Sequence, residues 1–207
     1  MSDKLSESHY FACPVYMVKK PEFIEKVSAV SDRYLKQHSS GNDVVTMTGN
    51  YSHEEEIKDF TQYVSQTAWN ILAAQGYAMD NLVTYFTEMW TQEHNRMSSM
   101  ETHIHGMGAQ VSAFFFLDVP ADGCKLVIHD PRPAKVIINL PQADEGKITP
   151  GSNQIVFTPE AGTLILTNSW LPHAFTRNLS DKPTRFVHMN LSVTLAQETA
   201  LPEVEVV

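Results

Sequence analysis

Residues 101–119 read ETHIHGMGAQVSAFFFLDV, and two patterns meet in them. Val111–Val119 (VSAFFFLDV) is a short, largely apolar run rich in aromatics, interrupted by Ser112 and Asp118, and it reads as a strand. Just before it, His103 and His105 stand two apart. In an extended chain such residues point the same way, so both imidazoles can converge on one ion. Gly106 and Gly108 then turn the chain into the apolar run. The stretch thus predicts a metal-bearing β-structure.

Downstream, the same texture continues. CKLVIHD (124–130), AKVIINL (134–140), GTLILTN (162–168) and TRFVHMNLSV (184–193) are short apolar runs separated by turn residues. Such punctuation predicts an antiparallel sandwich or barrel. Residues 111–119 and 124–130 read as a hairpin turning at Asp122-Gly123. On that pairing the second strand returns Asp130 and Arg132 to the histidine end. Asp130 is then either a turn cap before Pro131 or a carboxylate ligand. Residues 141–154 have loop composition.

The first eighty residues read differently. FACPVYMV (11–18) predicts an edge strand because of Pro14. Pro21 opens a helix carrying Phe23, Val27, Val30 and Tyr34 on one face, closed by 39–43. A second helix is expected from Ser52, with Glu55 completing a capping box and a stripe Ile57, Phe60, Val64, Ala68, Ile71, Leu72 ending near Gly76. Residues 82–92 read as a strand, with a helix as the alternative, and 93–100 as a loop or strand end containing a solvated His94. The expected architecture is α+β, mainly β: a double-stranded β-helix (residues 81–207) with N-terminal helices (1–80) packed on it, in a single domain over 1–207.

Composition sets limits. The 207-residue chain carries a formal charge of −9 with 43% hydrophobic and 19% charged residues. That balance argues against binding nucleic acid through its phosphates. Two cysteines, no apolar leader and no membrane-length apolar stretch make a cytoplasmic location the expectation. No oligomeric state is legible.

Two later residues extend the site. His173 follows the strand at 162–168 and is a third candidate ligand. Arg185 opens an otherwise apolar strand, where a guanidinium calls for an anion and its fork suits a carboxylate. If Arg185 points inward, so do Val187 and Met189, and His188 faces away; His129 is likewise assigned a structural role. His173 and Arg185 are expected to face each other across the barrel mouth. Imidazole ligands by themselves do not select between Fe, Zn, Cu and Ni.

Taken in order, Trp90, HIHG (103–106), LDVP (117–120), KLVIHDPRP (125–133), PEAGTLILTNSWLPH (159–173) and TRFVHMNLS (184–192) resemble the 2-oxoglutarate- and Fe(II)-dependent oxygenases, prolyl hydroxylases among them. The resemblance implies Fe(II) and 2-oxoglutarate as cofactors. It further implies hydroxylation of a small-molecule or peptidyl substrate, with succinate and CO2 as co-products. By it, His103 and His105 stand where the family carries H-x-D or H-x-E, and His173 matches the distal histidine. Arg185 matches the basic residue that holds the far carboxylate of 2-oxoglutarate. Phe114, Phe116, Trp170 and residues 141–154 would enclose the site. His105 departs from the pattern, so the ligand set is either three histidines or includes Asp130. Two alternatives remain: a cupin-type three-histidine dioxygenase that does not use 2-oxoglutarate, in which Gln110 would occupy the glutamate position, and an inactive barrel that only binds.

Overall fold

The computed structural model describes residues 5–38, 44–137 and 140–196. Strand β1 (Val15–Lys19) leads through a 3-10 turn at Pro21–Phe23 into helix α1 (Ile24–His38). Then come β2 (Val45–Met47), α2 (Lys58–Ala74), β3 (Leu82–His94), β4 (Met100–His103), β5 (Val111–Asp118) and β6 (Leu126–His129). A short helix α3 (Pro133–Ile137), β7 (Gln154–Phe157), β8 (Thr163–Asn168), β9 (His173–Phe175) and β10 (Thr184–Leu195) complete the order. The strands form a six-stranded sheet, β1-β8-β5-β10-β3-β2, and a four-stranded sheet, β4-β9-β6-β7. This is the expected double-stranded β-helix. Residues 1–80 are not purely helical, because β1 and β2 supply both edges of the larger sheet.

Alternation along the strands builds two cores. On the outer face of the larger sheet, Val111, Ala113, Phe115, Val187 and Met189 pack against Val27, Val30, Phe60, Val64 and Ala68 of the helices. Phe114, Phe116, Leu126, Ile128, Ile165, Phe175 and Phe186 fill the space between the sheets. Burying a Phe or Leu side chain contributes about 1.5–3 kcal/mol, so each strand residue is held to its face.

Four local expectations are corrected. Strands β5 and β6 do not form a hairpin: β5 pairs with β10 and β8, and β6 with β7 and β9. Because β5 is buried on both faces and flanked on both edges, it has no edge left for β6. Asp122, at φ 45°, instead carries the chain across to the other sheet. His173 and Arg185 do not face each other: β9 and β10 do not pair, and Arg185 is turned to Asp32 and Glu93 on the helix side of the larger sheet. The run at 134–140 starts as helix α3 because Pro133 suits a first helical turn; 138 and 139 lie outside the described residues. The Ser52–Glu55 capping box is not formed. A 3-10 turn at Glu55–Ile57 precedes α2, and Glu55 pairs with Lys58. The proposed stop at 39–43 also lies outside the described residues.

Gly162 locks the start of β8. It has φ 79°, its N–H bonds Phe116 O at 2.8 Å, and a Cβ there would lie 2.9 Å from Pro21 Cα. Gly162→Ala should therefore lower stability by roughly 2–4 kcal/mol, combining left-handed strain with overpacking. Chemical denaturation checks this: an unchanged midpoint would show that the β8–Pro21 junction yields freely.

Candidate metal centre

Three elements deliver the triad. His103 ends β4 and pairs in register with His173 of β9. His105 lies just beyond β4, held by its own N–H to Ser169 O at 3.0 Å. The loop that follows is pinned where Ser192 Oγ donates to Gly108 O at 2.7 Å. One ligating atom each from His103, His105 and His173 lies within 4.8 Å of the others. The ring centroids are 4.5 Å apart for His103–His173 and 5.1 Å for the other two pairs.

The hydrogen bonds decide which nitrogens face inward. His103 Nδ1 donates to Glu101 O at 2.8 Å, and His173 Nδ1 donates to Leu171 O at 3.1 Å. Fixing the proton on Nδ1 leaves the Nε2 lone pair for a metal. The Nε2 atoms of His105 and His173 are buried and have no hydrogen-bond partner, as an ion-binding set requires. Burial lowers the His105 pKa to about 4 and that of His173 to about 3, so both are neutral near pH 7. Neutral imidazole is the ligating form. The residues present fit a metal ion.

His105 has a further neighbour. Asn190 Nδ2 lies 3.0 Å from His105 Nδ1 and 3.3 Å from Glu88 Oε2, while Asn190 Oδ1 accepts from Ser112 Oγ at 2.9 Å. With Nδ2 donating, His105 Nδ1 accepts and its proton sits on Nε2. A half-turn of the amide would present Oδ1 to an Nδ1–H, as a ligating His105 needs, but only with Glu88 turned away or protonated, because Oδ1 would then face Glu88 Oε2. Glu88, Ile104, His105, Met107 and Asn190 line a cleft of about 360 Å³ beside the triad.

Asp130 is elsewhere. Arg132 Nε and Nη2 grip its two oxygens at 2.9 and 2.7 Å, and Lys135 Nζ stands 3.3 Å away. The Arg132 guanidinium holds its carboxyl well below the usual carboxylate range. The structure brings the three histidines together without it.

Arg185 also corrects the expectation. It lies on the helix side of β10, where Nη1 donates to Asp32 Oδ1 at 2.9 Å and Nε to Glu93 Oε2 at 2.5 Å. Asp118 is 3.7 Å away. Val187 and Met189 share that face, packed against the helices. His188 therefore points into the barrel, with its ring centroid 4.5 Å from that of His105 and 4.3 Å from that of Trp90. His94, expected to be solvated in a loop or strand end, is the last residue of β3, fully buried and stacked on Phe186. Phe114 lies 5.1 Å from His173, while Trp170 is exposed. Residues 149–154 border a separate cleft with Asp130 and Arg132. His129 bonds Thr102 Oγ1 on the outer face. His188, Trp90, Asn190 and Glu88 were missed as site residues. The period-two set Phe186, His188, Asn190 was their signal, read with the opposite parity.

Known proteins share this arrangement of strands. Residues 88–189 match the family model described as "Putative 2OG-Fe(II) oxygenase". Over that stretch, about half of the chain, the barrel is similar to the 2OG-Fe(II) oxygenase family. Among solved structures, a 2OG-Fe(II) oxygenase family oxidoreductase from Burkholderia pseudomallei is similar at TM-score 0.61 and 12% identity, over 86% of this chain and 84% of that one. A Pseudomonas putida prolyl-4-hydroxylase gives 0.60 and 12%, over 87% and 93%. The viral collagen prolyl hydroxylase of Paramecium bursaria Chlorella virus-1, as its 2OG complex, gives 0.55 and 10%, over 86% and 94%. No curated protein sequence matches the chain.

Two outcomes test the centre. Burial lowers the His94 pKa to about 4 as well. The stabilisation from His94 and His173 is complete above about pH 6.5. It is lost as pH falls towards their folded values, because the unfolded chain takes up protons that the folded chain refuses. Metal-free protein should lose on the order of 1 kcal/mol per pH unit for each of the two between about pH 6.5 and 4. A thermal midpoint that stays flat from pH 7 to 5 would contradict this. Asp130→Asn should cost about 1–2 kcal/mol in stability by breaking the Arg132 pair. It should leave Co(II) affinity within about twofold by calorimetry; a tenfold loss would make Asp130 a ligand.

Proposed function

We propose that this chain is an Fe(II)- and 2-oxoglutarate-dependent oxygenase that hydroxylates a small-molecule or peptidyl substrate. The observation that carries the proposal is the convergence of three histidines, with the Nε2 atoms of His105 and His173 buried and unpartnered. His103, His105 and His173 would hold the iron. Bound there, Fe(II) with 2-oxoglutarate supplies the oxidising power to convert a C–H bond to C–OH with O2, releasing succinate and CO2. The chain's own residues do the rest. Glu101 O and Leu171 O orient two of the imidazoles, and Asn190 orients the third. Phe114 closes the inner side of the site against water. The cleft of Glu88, Ile104, His105, Met107 and Asn190 mixes polar and apolar lining and carries one carboxylate, which favours a substrate bearing a hydrogen-bond donor or cation near its reacting carbon. Among the described residues no helix is long and apolar enough to cross a membrane. A cytoplasmic setting is supported by the two free cysteines, Cys13 and Cys124.

One observation favours a second reading. The triad contains no carboxylate and Asp130 is committed to Arg132, as suits a cupin-type three-histidine dioxygenase that does not use 2-oxoglutarate.

Anaerobic Fe(II) at a hundred times its dissociation constant should stabilise the protein by about 2.7 kcal/mol. His173→Ala should abolish that gain. With O2 and 2-oxoglutarate, wild type should form succinate and His173→Ala none. Metal uptake without 2-oxoglutarate turnover would transfer the case to the second reading, and no metal uptake would sink both.

A further inference from the structure

All the buried side-chain nitrogen and oxygen atoms that lack a hydrogen-bond partner, among the described residues, sit inside one barrel. They are Trp90 Nε1, His94 Nδ1, His105 Nε2, His173 Nε2 and both ring nitrogens of His188. A buried donor without a partner is costly, so such a concentration calls for an occupant. An ion in the triad accounts for His105 and His173. It does not account for His188, whose ring lies 6.0 Å from His173 and is stacked flat on Trp90.

The interior offers little else that could receive an anion. No lysine or arginine is buried among the described residues, and Arg185 is turned to Asp32 and Glu93 on the far side of β10. His188 is 1% exposed, one ring away from His105, and a neutral imidazole always carries one N–H to donate. The Trp90 indole N–H, also unpartnered, lies on the adjacent stacked ring. We infer that His188, with Trp90 stacked on it, receives the second carboxylate of the 2-oxo acid, the part assigned to Arg185 from the sequence. This rests on the co-substrate reading above.

Calorimetry on Co(II)-loaded protein under argon tests it, using 2-oxoglutarate and pyruvate, which lacks the second carboxylate. His188→Phe keeps a ring on Trp90 and removes both nitrogens. It should weaken 2-oxoglutarate at least tenfold and pyruvate less than twofold, with Co(II) affinity within threefold. His188→Gln, which retains a donor, should recover part of the loss. Arg185→Gln should bind 2-oxoglutarate within twofold of wild type. Equal weakening of both acids by His188→Phe would mark a merely structural role and overturn the assignment. So would unchanged binding, or a tenfold loss confined to Arg185→Gln. If His188→Phe fails to take up Co(II), the ratio of the two acids in His188→Gln decides, and a ratio equal to that of wild type overturns the assignment. Wild type that binds Co(II) but not 2-oxoglutarate refutes the co-substrate reading itself, an outcome distinct from a failure confined to His188.

Discussion

Strand β10 lies between β3 and β5 in the middle of the larger sheet, and its period-two alternation governs what the molecule can do. One face carries Arg185, Val187 and Met189 to the helices; the other carries Phe186, His188 and Asn190 into the barrel. The register admits no slip. Moving it by one residue would drive the Arg185 guanidinium towards Phe114 and Phe175, turn Phe186 out of the barrel, and pull the guanidinium from Asp32 and Glu93. A buried charge without its partners costs several kcal/mol, more than any single side-chain contact could return. The carboxylates on the helix side therefore hold His188 in place indirectly, by fixing the parity of the strand.

The interior so defined works against stability. His94, His105, His173 and His188 are all held below their ordinary pKa by burial, and each keeps at least one nitrogen without a partner. The aromatic packing of Phe114, Phe175 and Phe186 offsets that cost. A folded domain rarely gathers unsatisfied groups in one place unless they serve a ligand. Here the two cores divide the work. The helix-side core holds the sheet, and the barrel core holds imidazoles at a common point.

Much of this was legible because it is local. His103 and His105 share a strand face by spacing alone, and the buried runs announced the strands. Failures came where a residue's meaning depended on a distant partner. Arg185 looks like an anion receptor at the start of an apolar strand, and it is one, but its anions include Asp32, 153 positions away on α1. His94 looks solvated in the polar string EHNR, yet β3 extends to His94 itself and turns it inward with Trp90 and Gln92. Asp130 was placed near the histidines by a hairpin that β5, paired on both edges, could not make. Helices cover the outer face of the larger sheet and leave the inner face to the site, so the same period-two pattern admits two opposite readings until the packing is known.

The all-histidine triad and the outward arginine are connected. A carboxylate ligand would cancel one of the two positive charges on a bound divalent ion; three neutral imidazoles cancel none. Within a barrel of low polarity, that full double charge would itself attract a dianionic co-ligand strongly. A second fixed cation deep in the same space would then add repulsion and a desolvation cost. Neutral donors such as His188 and Trp90 orient an anion without adding charge. On this argument, replacing the carboxylate by His105 and turning Arg185 outward are one adjustment of charge, made at two positions that the fold keeps on opposite faces of a sheet.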